Sequence, residues 1–518
     1  MAYKVQNAVS NTLQRRQFSV LACVFQSLFV VLFASFGEFH NHEEDKHNRV
    51  HANYPMFQDI HTMETGKIQQ SAIDPPQKKK SCNFSNLCVI IGFGFLLSFL
   101  KKYGFSALSI NLLLSSFVMQ YALLLRGFLS PNSSEPAFVQ FPLMSLSKLT
   151  FLALPCSLRW AFFSATSLTV LLEHLLYNLL YINDAGRSLV VHCFGAYFGL
   201  AAAKICHKKN TMVVDDEETS GNFELFAMLG TLFIWSFFPS FNAGSIPHST
   251  PEMRHRAFLN SYLAMAACTT ATFLLSSLAD HLGRFNMAHI QSSSLAGGIA
   301  IGAVANVILY PHHAIIVGAA AALISVLGHV YVTPKILEKR LSINDTCGAH
   351  SLHGLPSLLA GFLSALFVLL YEPEEYGENF VEQYSAIYPK WKGAAAPGAT
   401  RDLRTQAFFQ LAGLALTFLM AVTGGLFSGW VMNWSMLNQV QPRPSYEDTN
   451  YYLHAEMNLF AKAIGRGGNA LAFGGGLATI GGAMRRNEGP AMGQAEVALL
   501  RAWDGTDRSP NAEHSAIF

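Results

Sequence analysis

The chain has 518 residues, of which 51% are hydrophobic and only 13% charged, with a mean hydropathy of +0.28. Soluble domains carry roughly 25% charged residues, so this balance excludes an ordinary water-soluble fold and points to the bilayer as solvent. The formal net charge of +2 leaves no basic surplus for nucleic acid as the main partner.

Apolar runs of about 17–25 residues can cross a hydrocarbon core about 30 Å thick. Twelve are predicted in chain order: 18–36, 88–100, 105–128, 137–156, 160–182, 188–204, 222–241, 257–278, 287–309, 313–333, 352–371 and 406–430. The first follows a short basic N-terminus, residues 1–17, and is span-length without a small-residue cleavage site. It therefore reads as an anchor rather than a removable leader. The second run is short, because a polar insert at 67–86, KIQQSAIDPPQKKKSCNFSN, cuts into one end of it. Residues 18–434 thus form one transmembrane domain. From 435 the composition changes to a glycine-rich and then polar stretch that reads as a flexible cytoplasmic tail.

Lysine and arginine in short loops set orientation. With Lys4, Arg15 and Arg16 inside, Lys101, Lys102, Lys204, Lys208, Lys209, Arg284, Lys335, Lys339 and Arg340 fall on alternate, inner loops. Arg254, Arg256 and Lys78 to Lys80 are exceptions. Both ends are then cytoplasmic, and Asn132, in the sequon Asn132-Ser133-Ser134, faces outward as a glycosylation site.

The chemistry centres on two histidines. His192 lies in the sixth run, eight residues after Asp184; His353 opens the eleventh, eight residues after Asp345. Asp is a favoured helix N-cap, and eight residues of helix rise about 12 Å, toward the middle of the core. The sixth and eleventh runs cross in opposite directions, so the repeated Asp-to-His unit is the mark of an inverted repeat, whose functional site lies near the midplane. One histidine on an apolar helix is usually a packed, hydrogen-bonded core residue. Two at matched spacing on antiparallel helices point instead to an interior pathway. Neutral imidazoles offer both donor and acceptor, which suits a small polar molecule such as ammonia and resists bare cations.

Other features carry less. Glu173 sits within the fifth run, where it either attracts a cation or pairs with a neighbour. Phe233, Phe237, Phe238 and Phe241 stripe the seventh run, most of them as packing or lipid-facing residues. Gly195 and Gly199, Gly298 and Gly302, and Gly425 and Gly429 are close-packing signals. A two-histidine metal site would need a third ligand, and none is evident beyond His350; the eight scattered Cys form no CxxC. No nucleophile triad, phosphate loop or HExxH appears, so neither an enzyme nor a cofactor is expected.

At these residues the sequence resembles the Rhesus glycoproteins of the ammonium transporter superfamily. The likeness runs through YPMFQDIH (54–61), GFGFLLSFLKKYGFSA (92–107), NDAGRSLVVHCFGAYFGL (183–200), LFAMLGTLFIWSFFPSFN (225–242), MAHIQSSSLAGGIAIG (287–302), DTCGAHSLHGLP (345–356) and RTQAFFQLAGL (404–414). It implies an all-α polytopic fold of about twelve transmembrane helices with a pseudo-two-fold inverted repeat, assembled as a homotrimer in the plasma membrane. It also implies transport of ammonia or ammonium, with methylammonium as an analogue and CO2 for some members. By the resemblance His192 and His353 are the twin pore histidines, Asp184 an acid near the outer vestibule, Glu173 an intramembrane acid and Phe241 one of two gate phenylalanines. Phe138 and Phe141 both fit the other. The insert at 67–86 and the tail depart from the family pattern. The alternative reading is a non-conducting organiser of a membrane complex.

Overall fold

A computed structural model describes residues 23–35, 81–99, 104–129, 156–206, 221–246, 250–345, 347–372, 375–376, 383–384, 386–387 and 401–434. The expected span at 137–156, Asn132, Phe138, Phe141 and the tail from 435 lie outside these residues, apart from Cys156 itself. What is described is helical: α1 (Cys23–Ser35), α2 (Ser81–Leu96), α3 (Gly104–Leu129), α4 (Cys156–Glu173), α5 (Ser188–Cys206), α6 (Gly221–Gly244), α7 (Pro251–Ala279), α8 (Met287–Ser293), α9 (Ala296–Gly302), α10 (Pro311–Glu338), α11 (His350–Leu370) and α12 (Leu403–Met432).

Among the described residues, α5, α10, α11 and α12, with most of α6 and all of α7, are long and apolar enough to cross a membrane. Their outward faces are greasy: Leu278 is 73% and Phe408 67% exposed. That is costly against water and natural against lipid tails. The exception is α5: in its most apolar 18-residue stretch 89% of the residues are buried, against 28% in that of α7 and 33% in that of α12. It is the central helix, enclosed by the others. Helix α12 lies along it at Gly425 and Gly429, where an added Cβ would come within 2.2 Å of the Phe198 carbonyl oxygen and 2.9 Å of the Ala202 carbonyl oxygen. Small residues let the two backbones touch, the packing that replaces hydrophobic association inside lipid.

Two boundaries differ from expectation. Helix α2 begins at Ser81, so the last residues of the polar insert form its first turns rather than interrupting it. The run 287–309 is not one helix. It is α8 and α9, each of seven residues, followed by a turn-rich stretch. Composition could not reveal this, since an apolar irregular segment reads like a helix. Irregular backbone at membrane depth survives only if its polar groups are paired, and remote side chains pair these. The Asn242 amide donates to the Gly298 carbonyl at 2.9 Å, and that of Asn260 to Ala305 at 3.0 Å and Ile308 at 2.8 Å. Ser188 donates to Ile299 at 2.7 Å, and Arg256 to Asn306 at 2.8 Å.

Helices α5 and α11 start at opposite ends of the bundle. The body of α11 lies beside the first turns of α5, and the body of α5 beside the first turns of α11. The antiparallel pairing expected from the Asp-to-His repeat is therefore present.

Candidate functional site

Both helices open in a wide π-type turn, Ser188–Cys193 and His350–Gly354, and each turn carries its histidine. The helices thus start at Ser188 and His350, not at the aspartates. Only three or four residues of helix precede each ring, so the rise of about 12 Å expected for eight helical residues is not realised. The aspartates still cap, across a loop. Asp184 Oδ2 accepts from the backbone N–H groups of Leu189 at 3.0 Å and Val190 at 3.4 Å. Asp345 accepts from Ala349 at 3.1 Å on Oδ1 and from His350 at 2.8 Å on Oδ2. Helix starts leave such donors orphaned, and a carboxylate satisfies two at once while its charge complements the helix dipole.

The two wide turns bring the imidazoles face to face. His192 Nδ1 and His353 Nδ1 are 3.2 Å apart, with the rings parallel to within 2°. Two such nitrogens share a hydrogen bond only when one carries the hydrogen and the other a lone pair. If both rings are neutral, they must be opposite tautomers, one protonated at Nδ1 and its partner at Nε2. Both are buried, and His192 Nε2 has no hydrogen-bond partner among the described residues. A buried nitrogen in that condition calls for an explanation, a transient ligand among them.

The surroundings are apolar. Phe238 stacks on His192 with ring centres 5.8 Å apart, Phe241 meets it edge-on at 6.3 Å, and Phe93 flanks His353 at 6.3 Å. Leu96, Ile234, Met265, Leu295, Ile299 and Leu352 complete the cluster around Phe238 and Phe241. Gly298 makes the room: a Cβ there would lie 2.8 Å from the Phe238 ring. An imidazole pair in such a setting presents one donor and one acceptor inside an oily sleeve, and rewards a small molecule able to answer both.

Of the expected residues, the structure gathers His192, His353 and Phe241. Phe238, closer to His192 than Phe241 is, was hidden within the phenylalanine stripe. Its only signal was the three-residue spacing to Phe241, which puts both on one helix face. Phe233 is exposed toward the outside of the bundle. Asp184 belongs to a buried charge cluster at its own end of α5, where the Tyr177 hydroxyl donates to its Oδ2 at 3.2 Å. Glu173, expected among the pore-lining residues, pairs with Arg187, and both side chains are buried. No motif around Glu173 signals that Arg187, fourteen residues on, reaches back to it. Asp345 sits at the opposite end, beside His350. Among the described residues no group of three or more His, Cys, Asp or Glu is arranged to hold a metal ion.

Known proteins resemble this chain along most of its length. The family model described as Ammonium Transporter Family matches residues 81–459. Ammonium transporter Rh type C of Pan troglodytes is 33% identical over 477 residues, covering 86% of this chain and 92% of its own length. Ammonium transporter Rh type B of Oryzias latipes is 32% identical over 469 residues, covering 85% and 94%. The structure titled "Nitrosomonas europaea Rh50 and mechanism of conduction by Rhesus protein family of channels" superimposes with a TM-score of 0.57 at 27% identity, over 74% of this chain and 97% of that one. A family match across most of the chain, relatives of one third identity along nearly their whole length and a shared helical architecture lead to one placement: this multi-pass membrane protein belongs to the ammonium transporter family, on its Rhesus branch.

Proposed function

We propose that the protein conducts ammonia, delivered as ammonium, through the interior of each protomer beside His192 and His353. The observation that carries this reading is the parallel, buried imidazole pair joined at 3.2 Å within an aromatic sleeve. Ammonia both donates and accepts hydrogen bonds, so it can replace a contact to either ring. A bare potassium ion can do neither and would shed its hydration in an oily passage at great cost. Ammonium gives up its proton before the histidines, passing Phe241 and Phe238, and regains one beyond them.

The family supports further expectations. The protein assembles as a homotrimer in the plasma membrane, carries methylammonium as an analogue and admits CO2. The end bearing Lys204, whose ammonium donates to the Leu341 carbonyl, together with Arg284, Lys335, Lys339 and Arg340, faces the cytoplasm by the charge bias of loops. The two termini then lie on that side, the tail from 435 is a cytoplasmic extension, and Asn132 is a glycosylation site on the opposite one.

Purified protein in vesicles, followed by an internal pH dye after an ammonium jump, tests the reading. Wild type should relax the pH gradient faster than empty vesicles, and the variant carrying His192→Ala with His353→Ala should lose most of that gain. Wild-type flux equal to that of empty vesicles would refute transport and favour a non-conducting organiser. Unaltered flux in the double variant would keep transport and remove the histidines from it. Parallel jumps of methylammonium and CO2 define the substrate range.

A further inference from the structure

Three more histidines lie between the twin pair and the Asp345 end, His289 and His350 buried and His329 half-buried, and neither packing nor capping accounts for all of their nitrogens. His350 precedes His353 by three residues in the same wide turn. Tyr197 meets it edge-on with ring centres 6.0 Å apart. His329, from the wide turns that end α10, presents its Cε1 edge to Gly348. A Cβ on that glycine would lie 2.6 Å from Cε1 and 3.5 Å from both Nδ1 and Nε2. His289, near the start of α8, lies beside His329 with ring centres 5.5 Å apart. The groups within electrostatic reach of His329 come from each element packed on it: His289 from α8, His350 from α11 and Asp345 from the turn before α11.

The hydrogen bonding of this row is incomplete at one place and complete at another. His350 Nδ1 and His329 Nε2 are buried and have no hydrogen-bond partner among the described residues. Buried imidazole nitrogens seldom go unpaired without a reason, and here two occur around one turn, with a carboxylate beside them. At the far side of the row, His289 Nδ1 is 3.2 Å from Ser276 Oγ, which accepts from the Asn286 backbone N–H at 3.0 Å. Ser276 lies near the end of α7 and Asn286 caps α8, where the exposed turn 280–285 meets solvent. The row therefore runs from the foot of the twin pair to the surface.

We propose that His350 and His329 form a second binding site for ammonia, at the Asp345 end, where the molecule leaving the twin histidines is held and given back a proton. The inference rests on the transport reading above. A lone pair on one imidazole nitrogen receives an N–H of ammonia, and an N–H of the other ring faces the ammonia lone pair. The N–H bond of a protonated His329 breaks as a fourth N–H bond forms on ammonia. Ammonium departs, Asp345 eases its positive charge, and the neutral ring regains its proton from solution through His289 and Ser276. One proton enters from that side for each ammonia converted, so charge and atoms balance without a proton crossing the membrane.

The test is binding first and flux second. The reconstituted full chain, labelled with nitrogen-15 at histidine, is titrated with ammonium chloride at fixed pH, with sodium chloride as the control salt, and its imidazole resonances are followed by solid-state NMR. Resonances that His329→Phe and His350→Phe assign to these two rings should shift with ammonium and not with sodium. His329→Phe, which keeps the aromatic volume against Gly348, should weaken that response about fivefold, the worth of one neutral hydrogen bond. The vesicle flux of this variant should fall, and His329→Gln, which restores a polar partner without a transferable proton, should recover the binding and not the flux. Resonances indifferent to ammonium, or equally moved by sodium, would overturn the site. Flux through His329→Phe equal to wild type would overturn the proton step. Vesicles in which wild type shows no flux at all would instead refute the transport reading, whatever the NMR response.

Discussion

The two turns that deliver the twin histidines share a backbone and contrast most at their left-handed position. In each, an aspartate carboxylate accepts two N–H groups at a helix start, and the third residue after it adopts a left-handed conformation: Arg187 at φ 56° and Gly348 at φ 63°. The same backbone bonds recur, Arg187 N–H to Asp184 carbonyl at 2.9 Å and Gly348 N–H to Asp345 carbonyl at 3.4 Å. So do the next ones, Val191 to Arg187 at 2.9 Å and Leu352 to Gly348 at 2.8 Å. Each histidine follows five residues after the left-handed one. The inverted repeat is therefore a repeat of backbone geometry, and the side chain at the left-handed position is free to serve its own end of the molecule. Glycine adopts this conformation without a steric cost, and at 348 it is also required, because His329 fills the space of a side chain. Arginine pays on the order of 1 kcal/mol for it, and is held there by Glu173.

That reading is broken most severely at Arg187. Arg187→Gly relieves the backbone but takes the guanidinium away from buried Glu173, and removing one partner of such a pair costs about 3–5 kcal/mol. Thermal unfolding in detergent should register the loss. Arg187→Gly combined with Glu173→Gln should recover most of it, since no charge is then left unpaired. If Arg187→Gly alone proved neutral, the turn would be tolerating arginine rather than using it.

The mirror experiment is Gly348→Ala. It adds both left-handed strain and a collision with His329, so a loss of about 1–3 kcal/mol is expected. His329→Ala in the same chain should return the collision part and leave the strain, a coupling that a double-mutant cycle measures directly. The caps sharpen the comparison at a smaller scale. Asp345 employs both oxygens on backbone N–H groups, whereas Asp184 places both of its backbone bonds on Oδ2. An asparagine at 345 must turn its amide nitrogen toward a donor and lose a bond, worth about 1 kcal/mol or more. Asp184→Asn can keep both bonds on its remaining oxygen. The melting temperature of Asp345→Asn should therefore fall further than that of Asp184→Asn.

Much of this was legible before the structure. Apolar run length located the six helices that, among the described residues, are long and apolar enough to cross a membrane, and the equal Asp-to-His offsets identified the repeat, because both depend on features local in sequence. What escaped depends on partners distant in sequence. The short α9 and the irregular stretch after it are sustained by Asn242, Asn260 and Arg256 from other helices, and nothing within 287–309 announces them. Pairing of Glu173 depends on a left-handed turn at a residue type that seldom makes one. Phe238 and Phe241 were equivalent letters in an aromatic stripe until α5 was laid against that face. The three histidines of the Asp345 end come from α8, α10 and α11 and have no common motif at all.

The same carboxylate device occurs a third time, in water, and there its worth can be titrated. Asp280, after α7, accepts from the backbone N–H of Leu282 at 3.1 Å and of Arg284 at 3.0 Å, and holds the Arg284 guanidinium at 3.0 and 3.1 Å. These bonds, the Arg284 side chain first, draw its pKa from 3.8 down to about 2. A carboxyl group whose folded value is depressed stabilises the fold above its unfolded pKa, and that stabilisation disappears as the pH falls through the folded one. The gap in melting temperature between wild type and Asp280→Asn should thus be constant from neutral pH to about 4, then close toward about 2. It should also shrink in salt, since an exposed pair is screened, whereas the gap for Arg187→Gly, buried with Glu173, should not. A salt-insensitive Asp280 gap would mean that the backbone bonds alone sustain this turn, bringing it closer in kind to its two buried counterparts than its arginine suggests.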